Sequence, residues 1–214
     1  MKNRMKGIVG LAAIILLASC SKDNNNTPTP VLTVKTVNNL MADTIIGLAP
    51  SGQPYGSGKY TFYSLENNAI VASSDSATNK WDLGFRGTSI ITNSGNSGPA
   101  SGGAFVFVGV FDDLKTIPAD SVFRVDNAPT AYAITSGSGR GWYSYNATAN
   151  LVTPIPGRVL VIRTASGKYA KVEIMNYYKG GVTPDASASD ALKLSEQRYY
   201  TFRYTFQSSG ATTF

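Results

Sequence analysis

The segment that most constrains the fold lies near the C-terminus. In Tyr199-Tyr200-Thr201-Phe202-Arg203-Tyr204-Thr205-Phe206-Gln207, large aromatics alternate with polar residues without a break. A period of two sends Tyr200, Phe202, Tyr204 and Phe206 to one face and Thr201, Arg203, Thr205 and Gln207 to the other. A helix, with its period of 3.6, cannot gather four aromatics on one side at that spacing. The segment reads as a half-buried strand, and a sheet must exist to receive it.

The same signature recurs along the chain. Val159-Leu160-Val161-Ile162-Arg163-Thr164 and Tyr169-Ala170-Lys171-Val172-Glu173-Ile174 flank Ala165-Ser166-Gly167-Lys168. Gly167 supplies the positive φ that a tight turn needs, so this stretch reads as a β-hairpin. Further strands are expected over 59–65, 81–86, 89–92, 104–111 and 142–145, punctuated by Gly, Pro and Ser. A short helix fits over 186–193, and no fixed-period repeat is present. The expected class is all-β: twisted antiparallel sheets, sandwich-like, with long loops and at most one short helix.

The N-terminus reads as a targeting segment. Lys2, Arg4 and Lys6 precede a short apolar run that ends in Leu17-Ala18-Ser19-Cys20. That is the pattern of a bacterial lipoprotein signal: cleavage before Cys20 and lipid on the new N-terminus. The expected organisation is a signal peptide over 1–19, a lipidated Cys20 with a flexible tether over 20–34, and one all-β binding domain over 35–214. The tether, Ser21-Lys22-Asp23-Asn24-Asn25-Asn26-Thr27-Pro28-Thr29-Pro30, is too polar to bury a core. Lys22-Asp23 after the lipidated Cys is similar to export signals for the outer face of the outer membrane, so a lipid-anchored, cell-surface location is expected.

Charge and side-chain chemistry narrow the function. The chain has 19 Lys and Arg against 13 Asp and Glu, but three of the basic residues precede Cys20. From Cys20 onward the balance is 16 against 13, scattered without a basic run, and nucleic-acid binding is not expected. The chain contains no His, and Cys20 is its single Cys. That removes the Ser-His-Asp triad, His zinc sites and thiolate chemistry together. Glu66, Asp82 and Glu173 are too scattered for sequence alone to pair across a cleft. The expectation is a binding protein, not an enzyme.

Two stretches invite a ligand. The glycine-rich run Ser94-Gly95-Asn96-Ser97-Gly98-Pro99-Ala100-Ser101-Gly102-Gly103 leads into strand-like Ala104-Phe105-Val106, not into a helix, so it lacks the context of a phosphate cradle. Arg140-Gly141-Trp142-Tyr143-Ser144-Tyr145, with Tyr132 upstream, is an aromatic cluster able to line a pocket for a flat ligand or a sugar, or to serve as core. Alternation puts Met175 on the face of Lys171 and Glu173, where its thioether is a candidate soft ligand; Met41, near the tether, is a weaker one.

Several stretches together resemble the HmuY-like haem-binding lipoproteins. They are Tyr60-Thr61-Phe62-Tyr63-Ser64-Leu65, Trp81-Asp82-Leu83-Gly84-Phe85-Arg86 with Ile91-Thr92-Asn93-Ser94-Gly95, Gly167-Lys168-Tyr169-Ala170-Lys171-Val172 with Asn176-Tyr177-Tyr178, and the aromatic strand beginning at Arg198. The resemblance, with the lipobox, runs over roughly residues 35–208. It implies an all-β haemophore-type protein that binds haem or a related tetrapyrrole for uptake and hands it to an outer-membrane transporter. Founding members hold iron with two His and some relatives with two Met; this chain has no His, so no axial ligand carries over. Tyr132, Tyr143 and Tyr145 are candidates by chemistry, since Tyr ligates ferric haem in some proteins. Arg140 and Arg158 are candidate propionate partners. The alternative is a carbohydrate-binding accessory lipoprotein of the outer membrane, stacking sugars on Trp142 and its neighbouring tyrosines.

Overall fold

The structure is a computed structural model that describes residues 32–214. The signal peptide, Cys20 and most of the expected tether lie outside the described residues. The strands are β1 (Val34–Met41), β2 (Gly47–Leu48), β3 (Pro54–Tyr55), β4 (Thr61–Ser64), β5 (Ala69–Val71), β6 (Leu83–Arg86), β7 (Ser89–Thr92), β8 (Gly103–Val108), β9 (Tyr143–Asn146), β10 (Leu151–Pro154), β11 (Arg158–Arg163), β12 (Tyr169–Tyr178) and β13 (Gln197–Gln207), with one α-helix, α1 (Asp190–Glu196). A five-stranded antiparallel sheet runs β1-β13-β12-β11-β8, and a four-stranded one runs β5-β4-β6-β7. β9 and β10 form one two-stranded ribbon, β2 and β3 another. The all-β class expected from sequence is therefore the observed one.

The alternation in β13 builds the core. Tyr200, Phe202 and Tyr204 are fully buried between the two sheets. Phe202 stacks on Phe85 of β6 at 5.6 Å and meets Tyr63 of β4 edge-on at 5.6 Å. Each such ring contributes about 1.5–3 kcal/mol through burial. The polar face of β13 is not open to solvent as a half-buried strand would leave it. Thr201, Thr205 and Gln207 are buried too, because the segment after β8 and the C-terminal residues fold across that face. Phe111 lies there between two cations, the Lys171 ammonium at 4.5 Å and the Arg203 guanidinium at 4.4 Å from its ring centre. Lys171 donates to the Phe111 and Leu114 carbonyls, 2.8 Å each, so a buried Lys on a polar face becomes a staple for the covering loop. Desolvation pushes its pKa below the ordinary Lys value.

The sandwich has two unlike ends. At the closed end, where β1 begins opposite Thr205, two buried carboxylates accept from backbone amides. Asp82 accepts from Leu65 N at 2.8 Å and Ala165 N at 2.9 Å, joining the four-stranded sheet to the β11–β12 turn. Asp126 accepts from Thr92 N at 2.9 Å and Ala133 N at 2.7 Å. Burial raises both pKa values above the ordinary Asp range, outweighing the amide donors that lower them.

The glycine-rich loop belongs to this end, and its composition follows from packing. It wraps the buried Asn93 side chain, which donates to the Thr78 and Trp81 carbonyls at 2.9 and 2.8 Å and accepts from Ala100 N at 3.1 Å. A Cβ on Gly95 would lie 1.9 Å from the Asp126 carbonyl oxygen, at a backbone φ of +53°. One on Gly98 would lie 2.2 Å from Asn93 Oδ1. The loop is a close-packed connection whose backbone must approach other backbone.

Candidate functional site

At the open end the strands run out beneath three short elements. The ribbon of β2 and β3, the β9–β10 turn and α1 surround the β6–β7 turn, and a cleft of about 780 Å³ lies between them. That volume falls within the range of small-molecule and cofactor sites. Its lining is mixed: Leu48, Pro54 and Leu194 are apolar, while Thr88, Tyr145, Asn150 and Arg198 present polar groups. A second cleft of about 430 Å³ adjoins it and shares Pro54, Gly87, Thr88 and Arg198. The two form one groove around the base of the β2–β3 ribbon.

Arg198 is the charged centre of that groove. It sits at the second position of β13 with φ +71°, in the left-handed region that costs a non-glycine residue about 1–2 kcal/mol. The conformation turns its side chain under the ribbon, where it is 16% exposed. Its Nη1 donates to the Asp43 carbonyl at 2.8 Å and lies 4.0 Å from Asp43 Oδ2. Asp43, itself at φ +57°, binds Ser57 Oγ and Gly58 N through its carboxylate and so closes the ribbon's base. Tyr177, from β12, is nearly buried beside Arg198; desolvation raises its pKa and the guanidinium opposes the rise.

The residues expected to form a site are dispersed. Trp142 is 2% exposed and donates from Nε1 to the Thr88 carbonyl at 3.0 Å. It packs at 5.1 Å from Tyr200 and 5.6 Å from Tyr177, so it floors the open end and offers no stacking face to solvent. Tyr143 is buried in the same core, and Thr88 Oγ1 donates to its hydroxyl at 3.3 Å. Tyr145, two residues further along β9, lies beyond the core: it is 47% exposed, lines the large cleft and donates to Asn150 Oδ1 at 2.9 Å.

Tyr132 and Arg140 line a separate cleft of about 200 Å³ with Arg124. Met175 is half exposed where β12 bulges against β13, and the bulge breaks the alternation that assigned its face. Met41 is half exposed and lines a cleft of about 250 Å³ beside Tyr60. Arg158 begins β11, opposite Val108. Among the described residues no group of three or more His, Cys, Asp or Glu could hold a metal ion.

Sequence reasoning passed over Arg198 and Asp43 as site residues. No local signal marks an Arg as left-handed, although an Asp after Ala42 is a residue type that tolerates that region.

The described residues thus form a β-sandwich with a groove at one end. The chain belongs to the HmuY family, whose model, described as HmuY protein, matches residues 57–188. Solved structures are similar at low identity. One from Bacteroides vulgatus, provisionally described as a HmuY-like heme-binding protein, is 15% identical, with 80% of this chain and 90% of that chain covered and a TM-score of 0.49. The apo HmuY analog of Tannerella forsythia is 16% identical, with 83% and 96% covered and a TM-score of 0.41. No curated protein matches the chain.

Proposed function

We propose that the protein is a lipid-anchored surface protein that binds haem or a related tetrapyrrole in the open-end cleft and delivers it for uptake through an outer-membrane transporter. Family membership over residues 57–188 carries this reading, and the cleft of about 780 Å³ gives the ligand a place. Haem, when bound, would supply a Lewis-acidic iron and a broad apolar face. Leu48, Pro54 and Leu194 are the side chains that would cover that face, and Tyr145 is the phenol at the rim able to approach an iron. Burying roughly 400 Å² of macrocycle at about 25 cal/mol per Å² would be worth on the order of 10 kcal/mol before association costs, enough for affinity of micromolar order without an iron bond.

The experiment is a haem titration of the full chain in detergent, followed through the Soret and visible bands. A shifted Soret band that changes in Tyr145→Phe is expected. A flat titration at tens of micromolar haem would sink the reading.

One observation favours a second reading, that of a carbohydrate-binding lipoprotein. Tyr145 is half exposed in a cleft that also holds Thr148 and Asn150, an aromatic face beside hydrogen-bonding groups. Glycan-array retention that disappears in Tyr145→Ala would put this reading first. Trp142, being buried, is not available for that stacking.

A further inference from the structure

We propose that Arg198 recognises a carboxylate on the ligand, and that the groove therefore selects acidic tetrapyrroles over neutral ones. This rests on the tetrapyrrole reading and assigns the polar end of the same site.

Three independent features converge on the guanidinium. First, an Arg is held at φ +71° at the cost of left-handed backbone, and that conformation brings the side chain to the wall shared by the two adjoining clefts. Second, the internal contacts engage only part of the head: Nη1 donates to the Asp43 carbonyl, the Asp43 carboxylate stands 4.0 Å away while serving Ser57 and Gly58, and the Tyr177 phenol lies against the guanidinium. A planar guanidinium carries five donors, more than these partners take up. Third, Gly87 leaves its flank bare. A Cβ there would sit 3.9 Å from both Cζ and Nε, in van der Waals contact with the group.

Other charges along the groove do not duplicate this role. Arg86 lines the smaller cleft but stacks on Tyr60 at 4.4 Å and donates to the Gly58 carbonyl. Asp190, at the start of α1, would repel an acid. Arg198 is thus the cation placed where a carboxylate could make a charge-assisted, two-pronged contact beside the Tyr177 phenol.

The test uses the full chain in detergent and two probes, protoporphyrin IX and its dimethyl ester, titrated by fluorescence. The unaltered chain should bind the diacid at least roughly tenfold more tightly than the ester, the difference expected of a charge-assisted bond. Arg198→Gly accepts the left-handed backbone and removes the guanidinium; it should bind acid and ester alike, and a preference retained in this variant overturns the assignment. Arg198→Lys, a point charge without the fork, should fall between. Equal binding of acid and ester by the unaltered chain overturns the assignment and leaves the tetrapyrrole reading standing. Failure of the unaltered chain to bind protoporphyrin IX or haem overturns both. Should Arg198→Gly not fold, Arg198→Lys decides: a preference as large as that of the unaltered chain overturns the assignment.

Discussion

At the closed end of the sandwich, Asp82 and Asp126 are buried with no cation against them; at the open end, Arg198 is nearly buried with a groove beside it. The carboxylates are enclosed by backbone donors, and the buried amides of Leu65, Thr92 and Ala133 would be stranded without them. The guanidinium is anchored at one corner. The difference separates two uses of a buried charge. At one end the charge holds loops to sheets and its partners are internal. At the other the charge is positioned at a backbone cost, and its hydrogen-bonding capacity exceeds what the protein uses.

The largest effect should come from the closed end. Asp126→Ala leaves Thr92 N and Ala133 N buried without an acceptor. Unsatisfied buried donors cost about 1–3 kcal/mol each, so a loss of roughly 2–5 kcal/mol is expected in chemical denaturation. A change below about 1 kcal/mol would mean that this end is not held by its carboxylates.

Acid titration sharpens the same contrast. Asp82 and Asp126 have folded pKa values raised by burial, so the folded chain holds their protons more tightly than the unfolded chain does. Their contribution to stability is fully present below the ordinary Asp value near 3.8 and is lost as pH rises through the raised values. Glu66 runs the other way. Its bond to Lys168 lowers its pKa, and the stability it adds above the ordinary Glu value near 4.5 is lost as pH falls through the lowered one. It is largely exposed, so solvent screens that contribution. Unfolding free energy should therefore rise on acidification from neutral pH towards 4, and Asp82→Asn with Asp126→Asn should flatten that slope. A slope left unchanged in the double variant would remove these two groups as its source.

Much of the closed end and little of the open end was legible in the sequence. The expected strand over 89–92 coincides with β7, and the hairpin with its Gly167 turn coincides with β11 and β12, because period-two alternation and turn chemistry are local signals. β1 escaped notice because Asn38-Asn39 interrupts its pattern; Asn39 is left-handed at φ +55°, and the register with β13 shifts between Val37 and Leu40. The helix lies several residues later than 186–193. Ser189 caps it by accepting from Leu192 N, and Asp185 turns the chain before it through Ser187. The aromatic run at 142–145 could not be divided into core and cleft from its composition. Tyr177 of β12, Tyr200 of β13 and Thr88 of the β6–β7 turn, distant in sequence, bury Trp142 and Tyr143, while Tyr145 is left out. Arg198 was invisible as a site residue for the same reason, since its role comes from a dihedral angle and from neighbours at 42–43 and 87.

At the open end, changes should leave stability nearly untouched. Arg198→Gly removes the bond to the Asp43 carbonyl, worth about 1.5–3 kcal/mol for a charged donor, and relieves a left-handed backbone costing about 1–2 kcal/mol. The two nearly cancel, and a net change within about 1 kcal/mol is expected by urea denaturation. A loss beyond about 3 kcal/mol would make Arg198 a structural pin like the carboxylates and erase the distinction between the ends.

Tyr145→Phe should do least to stability and for that reason isolates binding. The deleted hydroxyl donates to Asn150 Oδ1 across an exposed turn, where water replaces the bond readily, so a change under about 0.5 kcal/mol is expected. The ring stays, and with it the apolar wall of the cleft. Any altered haem spectrum in this variant then reports the loss of one oxygen atom near the iron. An unaltered spectrum with unaltered affinity would place the macrocycle away from the β9–β10 turn, towards the Arg198 side of the groove.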